Sequence, residues 1–408
     1  MKKTPILFTA ICVSLPLAAG IVPVEPIEGR VVALQDEGQR RVLDIDGKLE
    51  RLAALEAMPD AKSVRWRKPG RVVLRWRVTE GEHGPWKIRI ATDPSLENGR
   101  NLWIGRGEAH RDGDVYSYEM PRPNLDLDRK YWWKIWGGVK CDYWDCDSTI
   151  GRESCSCGKT PTAHESDVAW FSTSPLPPRW IRLEGRVKNI RDLGGWKTCD
   201  GMRVRTGMIF RGEGLNDNSF NGDEKGRSRL MVEDVEYMTQ TLGIKTDLDL
   251  RSPREVSTMR GSPLGASVRF VHHSSHGYGG IFHGEGKRMM AENFRIFCDK
   301  ANYPVYFHCI AGADRTGSLA YILNGLLGVG KEDLERDWES TFYPNIPGAK
   351  NPDNWQGTHH FDKGLAAYAQ EGDTLSGRIE RYLLDCGVTP EEIAAFRAIM
   401  KHEVGSRR

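Results

Sequence analysis

The 408-residue chain has no excess of either charge: 58 Lys and Arg stand against 56 Asp and Glu, a formal net charge of +2. That balance supplies no global basic field for nucleic acid or an anionic membrane. Beyond the N-terminus, no apolar run is long enough for a transmembrane helix. Internal repeats and low-complexity tracts are missing too. What remains is 39% apolar residues and a mean hydropathy of −0.52, the composition of a soluble globular chain with enough length for two cored domains.

The N-terminus stands apart. Met1-Lys2-Lys3 is a short basic segment, 5–17 is apolar, and Ala18-Ala19-Gly20 offers small residues at the cleavage positions. Residues 1–20 therefore read as a signal peptide, which predicts a secreted or periplasmic protein with no integral membrane segment after its removal. No cysteine follows closely enough to suggest a lipoprotein. Of nine cysteines, Cys12 lies in this signal, while Cys141, Cys146, Cys155 and Cys157 cluster in a Gly/Ser/Asp-rich stretch. The Cys155-Ser156-Cys157 spacing is too tight for a usual zinc knuckle, and export favours disulfides of unreadable pairing.

Two kinds of periodicity follow. Between 63 and 171, period-two alternation recurs: Val72-Leu74-Trp76-Val78, Trp86-Ile88-Ile90, Tyr116-Tyr118, 132–136 and 168–171. With Gly, Pro and Asp turns between them, these predict an all-β sandwich over 21–174, its tryptophans used for core and cross-strand packing. Short strands are expected in 22–45 and a weak helix in 49–58. The block resembles a fibronectin type III-like module; its partner is unknown from sequence. Ser174-Pro175-Leu176-Pro177-Pro178 reads as a stiff linker, placed at 175–179. From 180 to 408, apolar strands (244–250, 305–307) alternate with helical stretches at 233–242, 289–299, 316–327, 331–340, 373–385 and 390–402. That order predicts a central α/β sheet flanked by helices, with reactive groups at the carboxyl ends of strands.

At such a strand end sits His308-Cys309-Ile310-Ala311-Gly312-Ala313-Asp314-Arg315-Thr316-Gly317. A cysteine and an arginine six positions apart, in a Gly-bearing loop between strand and helix, suit a phosphate dianion. Backbone N–H groups of 310–317 would form an anion nest, with the helix start adding its positive end. Gly312 lets the loop curl, and Gly317 permits close approach at the helix start. Arg315 can grip two phosphate oxygens at once. The same field favours a thiolate at Cys309. Thr316 is placed to donate to that thiolate or to assist water attack, and His308 to orient the loop. The pattern predicts phosphate-ester hydrolysis through a phosphocysteine, with no metal and no cofactor. An exported protein must then keep Cys309 reduced in an oxidising compartment.

A leaving oxygen needs a proton. Asp314, inside the loop, is the first candidate for general acid and then general base; bracing the loop is its other possible role. Asp249, at the end of the 244–250 strand, is the second. The segment 271–288 contains no Asp, only Glu285, which supports an acid located elsewhere.

The ten-residue string resembles the loop of bacterial atypical tyrosine phosphatases, H-C-x-A-G-K-D-R-T-G. Asn189-Ile190-Arg191-Asp192-Leu193-Gly194-Gly195 is similar to that family's N-x-R-D-L-G-G signature. Asp249-Leu250-Arg251-Ser252 is similar to its D-L-R-S strand end, and 378–400 to its C-terminal helix pair. The resemblance covers about 180–405. It implies a cysteine-phosphatase fold, a Cys309 nucleophile, Arg315 as phosphate clamp, Asp314 as in-loop acid, and a supporting role for Asp249. The one departure is Ala313, where the family has Lys. Losing that charge weakens a lipid-phosphatase reading and leaves phosphotyrosine as the default substrate. Arg211 and Arg251 would restore positive charge only if they face the pocket rather than structural ion pairs.

Weaker signals remain. His272, His273, His276 and His283 read as a mobile Gly-rich loop bordering the site rather than a zinc centre. Arg254 and Glu255 read as a helix start, and 343–356 as a long substrate-side loop. The expected partner is a phosphorylated protein or small phosphomonoester. Competing readings are an inositol-phosphate or phosphoinositide phosphatase, a catalytically silent phosphate-binding module, and a thiol sulfurtransferase.

Overall fold

The computed structural model describes residues 20–57, 70–79, 84–138, 164–217, 227–341 and 356–402. The expected signal peptide (apart from Gly20), the cysteines Cys141, Cys146, Cys155 and Cys157, and nearly all of 343–356 lie outside the described residues. The described residues form two compact units: those within 20–30, 73–119 and 130–172, and those within 31–72, 120–129 and 173–402. The expected boundary at 175–179 divides the chain differently, because 31–72 and 120–129 group with the second unit.

The first unit is built from two antiparallel sheets. One orders Ile21–Glu25, Val73–Val78, Val115–Glu119 and His110–Asp112; the other orders Ala169–Thr173, Lys130–Gly137, Trp86–Ala91 and Arg100–Ile104, with His164–Glu165 added on Lys130–Gly137. Alternation decides which side chains meet between the sheets. Trp76, Trp86, Trp133 and Phe171 are buried, and Trp76 meets Trp86 edge-on with ring centroids 5.3 Å apart. Not every tryptophan is core. Trp103, Trp132, Trp136 and Trp170 are only half-buried, with Lys87 over Trp103 and Trp136 and Lys130 over Trp132 and Trp170. These rings pack across strands through cation–π contacts.

In the second unit, residues expected as strands include helix α1 (Glu37–Leu43). A capping box starts it: Asp36 accepts from Gly38 N at 2.9 Å, and Gln39 accepts from Asp36 N at 3.1 Å. Helix α2 (Lys48–Glu56) follows. The central sheet has the order Arg191–Asp192, Ile209–Gly212, Val305–His308, Thr246–Asp249, Arg269–His272. Its four longer strands run parallel, and only Arg191–Asp192 is antiparallel. Every residue of Ile209–Gly212, Thr246–Asp249 and Val305–His308 is buried, as a sheet covered on both faces requires.

The covering helices are α3 (Val232–Glu236, continued as a π turn at Tyr237–Thr241), α4 (Gly284–Ile296), α5 (Asp314–Leu326), α6 (Lys331–Ser340), α7 (His359–Ala366), α8 (Leu375–Asp385) and α9 (Pro390–Met400). Pro390 at the first helical position and a Thr389/Glu392 capping box start α9. Helix α5 is buried along almost its whole length. No described helix is long and apolar enough to cross a membrane.

Candidate active site

The parallel register aligns three strand ends: Gly212 pairs with His308, and His308 with Asp249. The chain leaves Val305–His308, turns through 309–313 and enters α5 at Asp314. Gly312 has φ +65°, and a Cβ there would come within 2.3 Å of the Gly212 carbonyl oxygen. A Cβ on Gly317 would lie 2.6 Å from the Trp338 ring. Both positions need glycine because backbone or a buried ring occupies the side-chain space.

The loop is held from outside by its carbonyls. Gly214 N donates to Ile310 O at 3.0 Å. Asn189 Nδ2 donates to Ala311 O and Gly312 O, both at 3.1 Å, and Arg211 Nη2 to Gly312 O at 2.8 Å. Carbonyls drawn outward turn the intervening N–H groups the other way, the condition for an anion nest. The holders are themselves fixed. Arg191 donates to Asn189 Oδ1 and, at 2.8 Å, to Asp337 Oδ1; Arg211 Nη1 donates to Asp337 Oδ2 at 2.7 Å. Asn189 has φ +57°, uncommon backbone for a non-glycine and paired here with a side chain that grips two carbonyls. This is the physical content of the N-I-R-D segment. Asp337, which sequence reasoning missed, sits mid-helix among acidic residues that look like solvated surface.

Arg211 and Arg251 do not replace the charge missing at Ala313. Arg211 is fully buried, and burial together with the Arg191 guanidinium lowers its pKa to about 9 despite Asp337. Arg251 is wrapped around Asp249, with Nε at 2.9 Å and Nη2 at 2.6 Å from its two oxygens, and reaches Asn216 Oδ1 at 2.7 Å. Asp249 is buried; burial opposes its ionisation, but the His308 charge and the Arg251 bonds hold its pKa below the ordinary value. A carboxylate so engaged braces the strand end and is poorly suited to give up a proton.

His308 presents both ring nitrogens to acceptors: Nε2 lies 3.0 Å from Asp247 Oδ1 and Nδ1 lies 3.1 Å from Cys309 O. Only the imidazolium donates at both. Burial disfavours that cation, yet Asp249 and Asp247 raise its pKa above the ordinary value.

Cys309 is 2% exposed. A negative charge at Cys309 would favour the cations of Arg211 and Arg315 and oppose ionisation of Tyr278. Arg315 is gripped by Glu255, Nη1 to Oε2 at 2.7 Å and Nη2 to Oε1 at 3.0 Å. Burial opposes the Arg315 cation, but these bonds and the charge of Cys309 raise its pKa. Burial likewise works against ionised Glu255, while Arg315 and Ser252 bring it down to about 2. Ser252 N and Oγ donate to Glu255 Oε2 at 2.6 and 2.7 Å. Reading Glu255 as a helix-start charge is thereby corrected: it holds the Arg315 guanidinium, and no helix begins there. The signal was the spacing D-L-R-S-x-x-E, whose last member the capping explanation absorbed.

Asp314 is exposed in the first turn of α5 and accepts from the Tyr278 hydroxyl. Burial and then that bond raise the Tyr278 pKa, so its hydroxyl stays a donor. Tyr278 has φ +53°; its N donates to Ser318 Oγ at 2.8 Å, and its ring meets Trp338 and His360 edge-on. The Gly-rich histidine segment therefore borders the site through Tyr278. His272 instead bonds Arg251 O at 2.8 Å, and Glu285 pairs with Arg288. Among the described residues no group of three His, Cys, Asp or Glu side chains could hold a metal ion. The Thr316 hydroxyl is buried and finds no partner among the described residues, leaving it available to a thiolate or a bound oxyanion. Ile310 is 36% exposed at the loop, Ala311 and Ala313 are half-buried, and Gly317 is buried.

Comparison with known proteins bears on the family rather than on single residues. A Cupriavidus necator protein provisionally named as a tyrosine-protein phosphatase is 28% identical over 190 residues, covering 39% of this chain. The match spans 65% of that relative's length. Two structures of Siw14 also match. The core catalytic domain of the S. cerevisiae PP-IP phosphatase SIW14, bound to citrate, is 16% identical, with 39% of this chain and 86% of that chain covered at a TM-score of 0.24. A second Siw14 catalytic core is 14% identical, with coverages of 45% and 89% and a TM-score of 0.26. Scores that low carry no argument. The model of the tyrosine phosphatase family matches residues 181–402, over half of the sequence and the whole of the site. This chain belongs to the tyrosine phosphatase family.

Proposed function

We propose that the protein is an exported cysteine-dependent phosphatase that hydrolyses phosphotyrosine or a related phosphomonoester through a phosphocysteine. The observation that carries this reading is the loop 309–315: carbonyls tied outward, Arg315 oriented by Glu255, and Cys309 within the field of that guanidinium. In the reaction, the Cys309 thiolate attacks phosphorus while Arg315 and the loop N–H groups take the developing charge on the equatorial oxygens. The P–O bond breaks, and the leaving oxygen receives a proton from Asp314. Asp314, now a carboxylate, then takes a proton from water as it attacks phosphorus. Phosphate leaves and the thiolate is restored. His308 would hold the loop from below, and Thr316 is near enough in the loop to donate to sulfur or to the attacking water.

Ala313 favours a singly phosphorylated substrate over inositol phosphates, because it brings no charge for a second phosphate. The N-terminal pattern of residues 1–20 supports export. The decisive experiment is para-nitrophenyl phosphate turnover in EDTA, wild type beside Cys309→Ser. Metal-independent release that vanishes in the variant, with phosphorus trapped on sulfur during turnover, is the expected result. Equal activity in both rejects the mechanism. A panel of phosphotyrosine peptide against inositol phosphates separates the substrate classes, and N-terminal sequencing of the exported protein tests cleavage near Gly20.

A further inference from the structure

Helix α6 makes contacts on two opposite faces. One face serves the catalytic loop. Asp337 accepts from Arg191 and Arg211, Arg211 holds the Gly312 carbonyl, and Thr341 just past the helix accepts from Arg191 Nη2 at 3.1 Å. Trp338 lies against Gly317 and meets the Tyr278 ring edge-on, with centroids 5.7 Å apart.

The other face carries Glu332, Glu335, Arg336 and Glu339, spaced i, i+3, i+4 and i+7 as one helix stripe requires. It meets α2 and the turn before it. Arg51 of α2 is fully buried, and all three nitrogens of its guanidinium go to carboxylates of α6. Nε and Nη2 donate to Glu339, the latter at 3.1 Å; Nη1 donates to Glu332; Nη2 also lies 3.6 Å from Glu335 Oε2. Gly47 N donates to Glu332 Oε1 at 3.1 Å, and Arg336 Nη2 reaches back to Asp46 Oδ1 at 2.8 Å. Lys48 Nζ donates to Thr358 Oγ1. Beside Thr358, a Cβ on Gly357 would lie 2.5 Å from the Trp338 ring and 3.0 Å from the Tyr278 ring, so this contact too backs the wall of the site.

A buried guanidinium divided among three carboxylates is a fixed joint, unlike an exposed ion pair. Without it, three carboxylates share one helix stripe, where like charges three and four positions apart repel. A close-packed helix transmits strain, so a turn or slide of α6 that eases the repulsion carries Asp337 and Trp338 with it. We propose that Arg51 is a positioning residue for the phosphatase reaction: the segment 46–51 holds α6 from the face opposite the loop, and α6 sets the Gly312 carbonyl and the Tyr278 wall. The kinetic consequence rests on the phosphatase reading; the mechanical one does not. Arg51 stands 288 positions from Glu339, in a stretch that the sequence places outside the catalytic domain.

Amide hydrogen exchange and para-nitrophenyl phosphate kinetics on the full chain, wild type beside Arg51→Met, test this. Exchange in 310–317 should rise several-fold while the strand 305–308 keeps its protection. The kcat of the folded protein should fall about tenfold to a hundredfold, the range for a misplaced reacting group. Arg51→Lys keeps the charge without the fork and should recover part of both changes. If Arg51→Met does not fold, Arg51→Lys carries the comparison with smaller shifts in the same direction. Arg41→Met, on an exposed pair with Glu37, should change neither. A rise in exchange confined to 37–56, an equal rise throughout the unit, or an unchanged kcat in the folded protein overturns the proposal. A wild type without turnover would reject the phosphatase reading instead, and the exchange comparison would still decide whether Arg51 holds the loop.

Discussion

Glu255 holds Arg315 through both terminal nitrogens, at 2.7 and 3.0 Å, and the two residues are sixty positions apart. The pair makes the guanidinium a fixed fork rather than a swinging one. Such a fork can meet two phosphate oxygens without first losing side-chain freedom.

Glu255→Gln should therefore lower kcat/KM by about tenfold to a hundredfold, the range for a displaced reacting group. Its pH signature is specific. The folded-state carboxyl lies near 2 against an ordinary 4.5. The ionised form therefore stabilises fully above about 4.5 and loses that effect as pH falls through 2. Denaturation of both proteins across pH 2 to 7 checks this: the stability gap should close toward the acid end. A constant gap would contradict it.

His308 should be doubly protonated at neutral pH. Its pKa is raised, so its contribution is complete below the ordinary 6.5 and is lost as pH rises through the elevated value. Long-range 1H–15N NMR of the ring checks this: two imidazolium-type nitrogens at pH 7 are expected, and a neutral tautomer would refute it. His308→Gln should lose stability relative to wild type on the acid side and converge with it on the alkaline side.

Asp314→Asn should cost about 10²- to 10⁴-fold with phenyl phosphate, the range for a lost general acid. With para-nitrophenyl phosphate, whose leaving group needs little help, the loss should be much smaller. Equal losses would remove the acid role. Tyr278→Phe should reproduce the same leaving-group trend more weakly, since it removes only the hydroxyl that positions the Asp314 carboxylate.

Asp337→Asn should destabilise the protein by about 3–5 kcal/mol, because it leaves Arg191 and Arg211, both fully buried, facing each other uncompensated. Denaturant titration measures this. Activity should fall with it even in the folded fraction, as Arg211 also holds the Gly312 carbonyl.

The loop itself was legible because its chemistry is local. Cys309, Gly312, Asp314, Arg315 and Thr316 lie within eight residues, and the strand and helix around them announce themselves by apolar runs. The bounds of helix α6, Lys331–Ser340, were readable to the residue, but the burial of its acids Glu335, Asp337 and Glu339 was not. Helix α1 was read as strand; a two-residue strand at Val31–Val32 does precede it, and the Asp36 capping box, not the apolar spacing, decides the helix. The tryptophans were expected in core and cross-strand packing together; which did which waited on the fold, because alternation states which residues share a face but not which face is covered.

The rest of the site was hidden for one reason: its members are distant in sequence and ambiguous in type. Glu255 looked like a capping charge, Asp337 like one more acid in an acidic helix, and Tyr278 like part of a flexible glycine loop. Sequence by itself determined which groups can react and that a strand-to-helix turn presents them, because bonding and backbone sterics act over a few residues. Tertiary structure alone decided which carboxylate holds Arg315, which one braces the strand end beside Arg251 and which one stays exposed beside the Tyr278 hydroxyl. That choice depends on burial and on which cations the fold brings within hydrogen-bond distance.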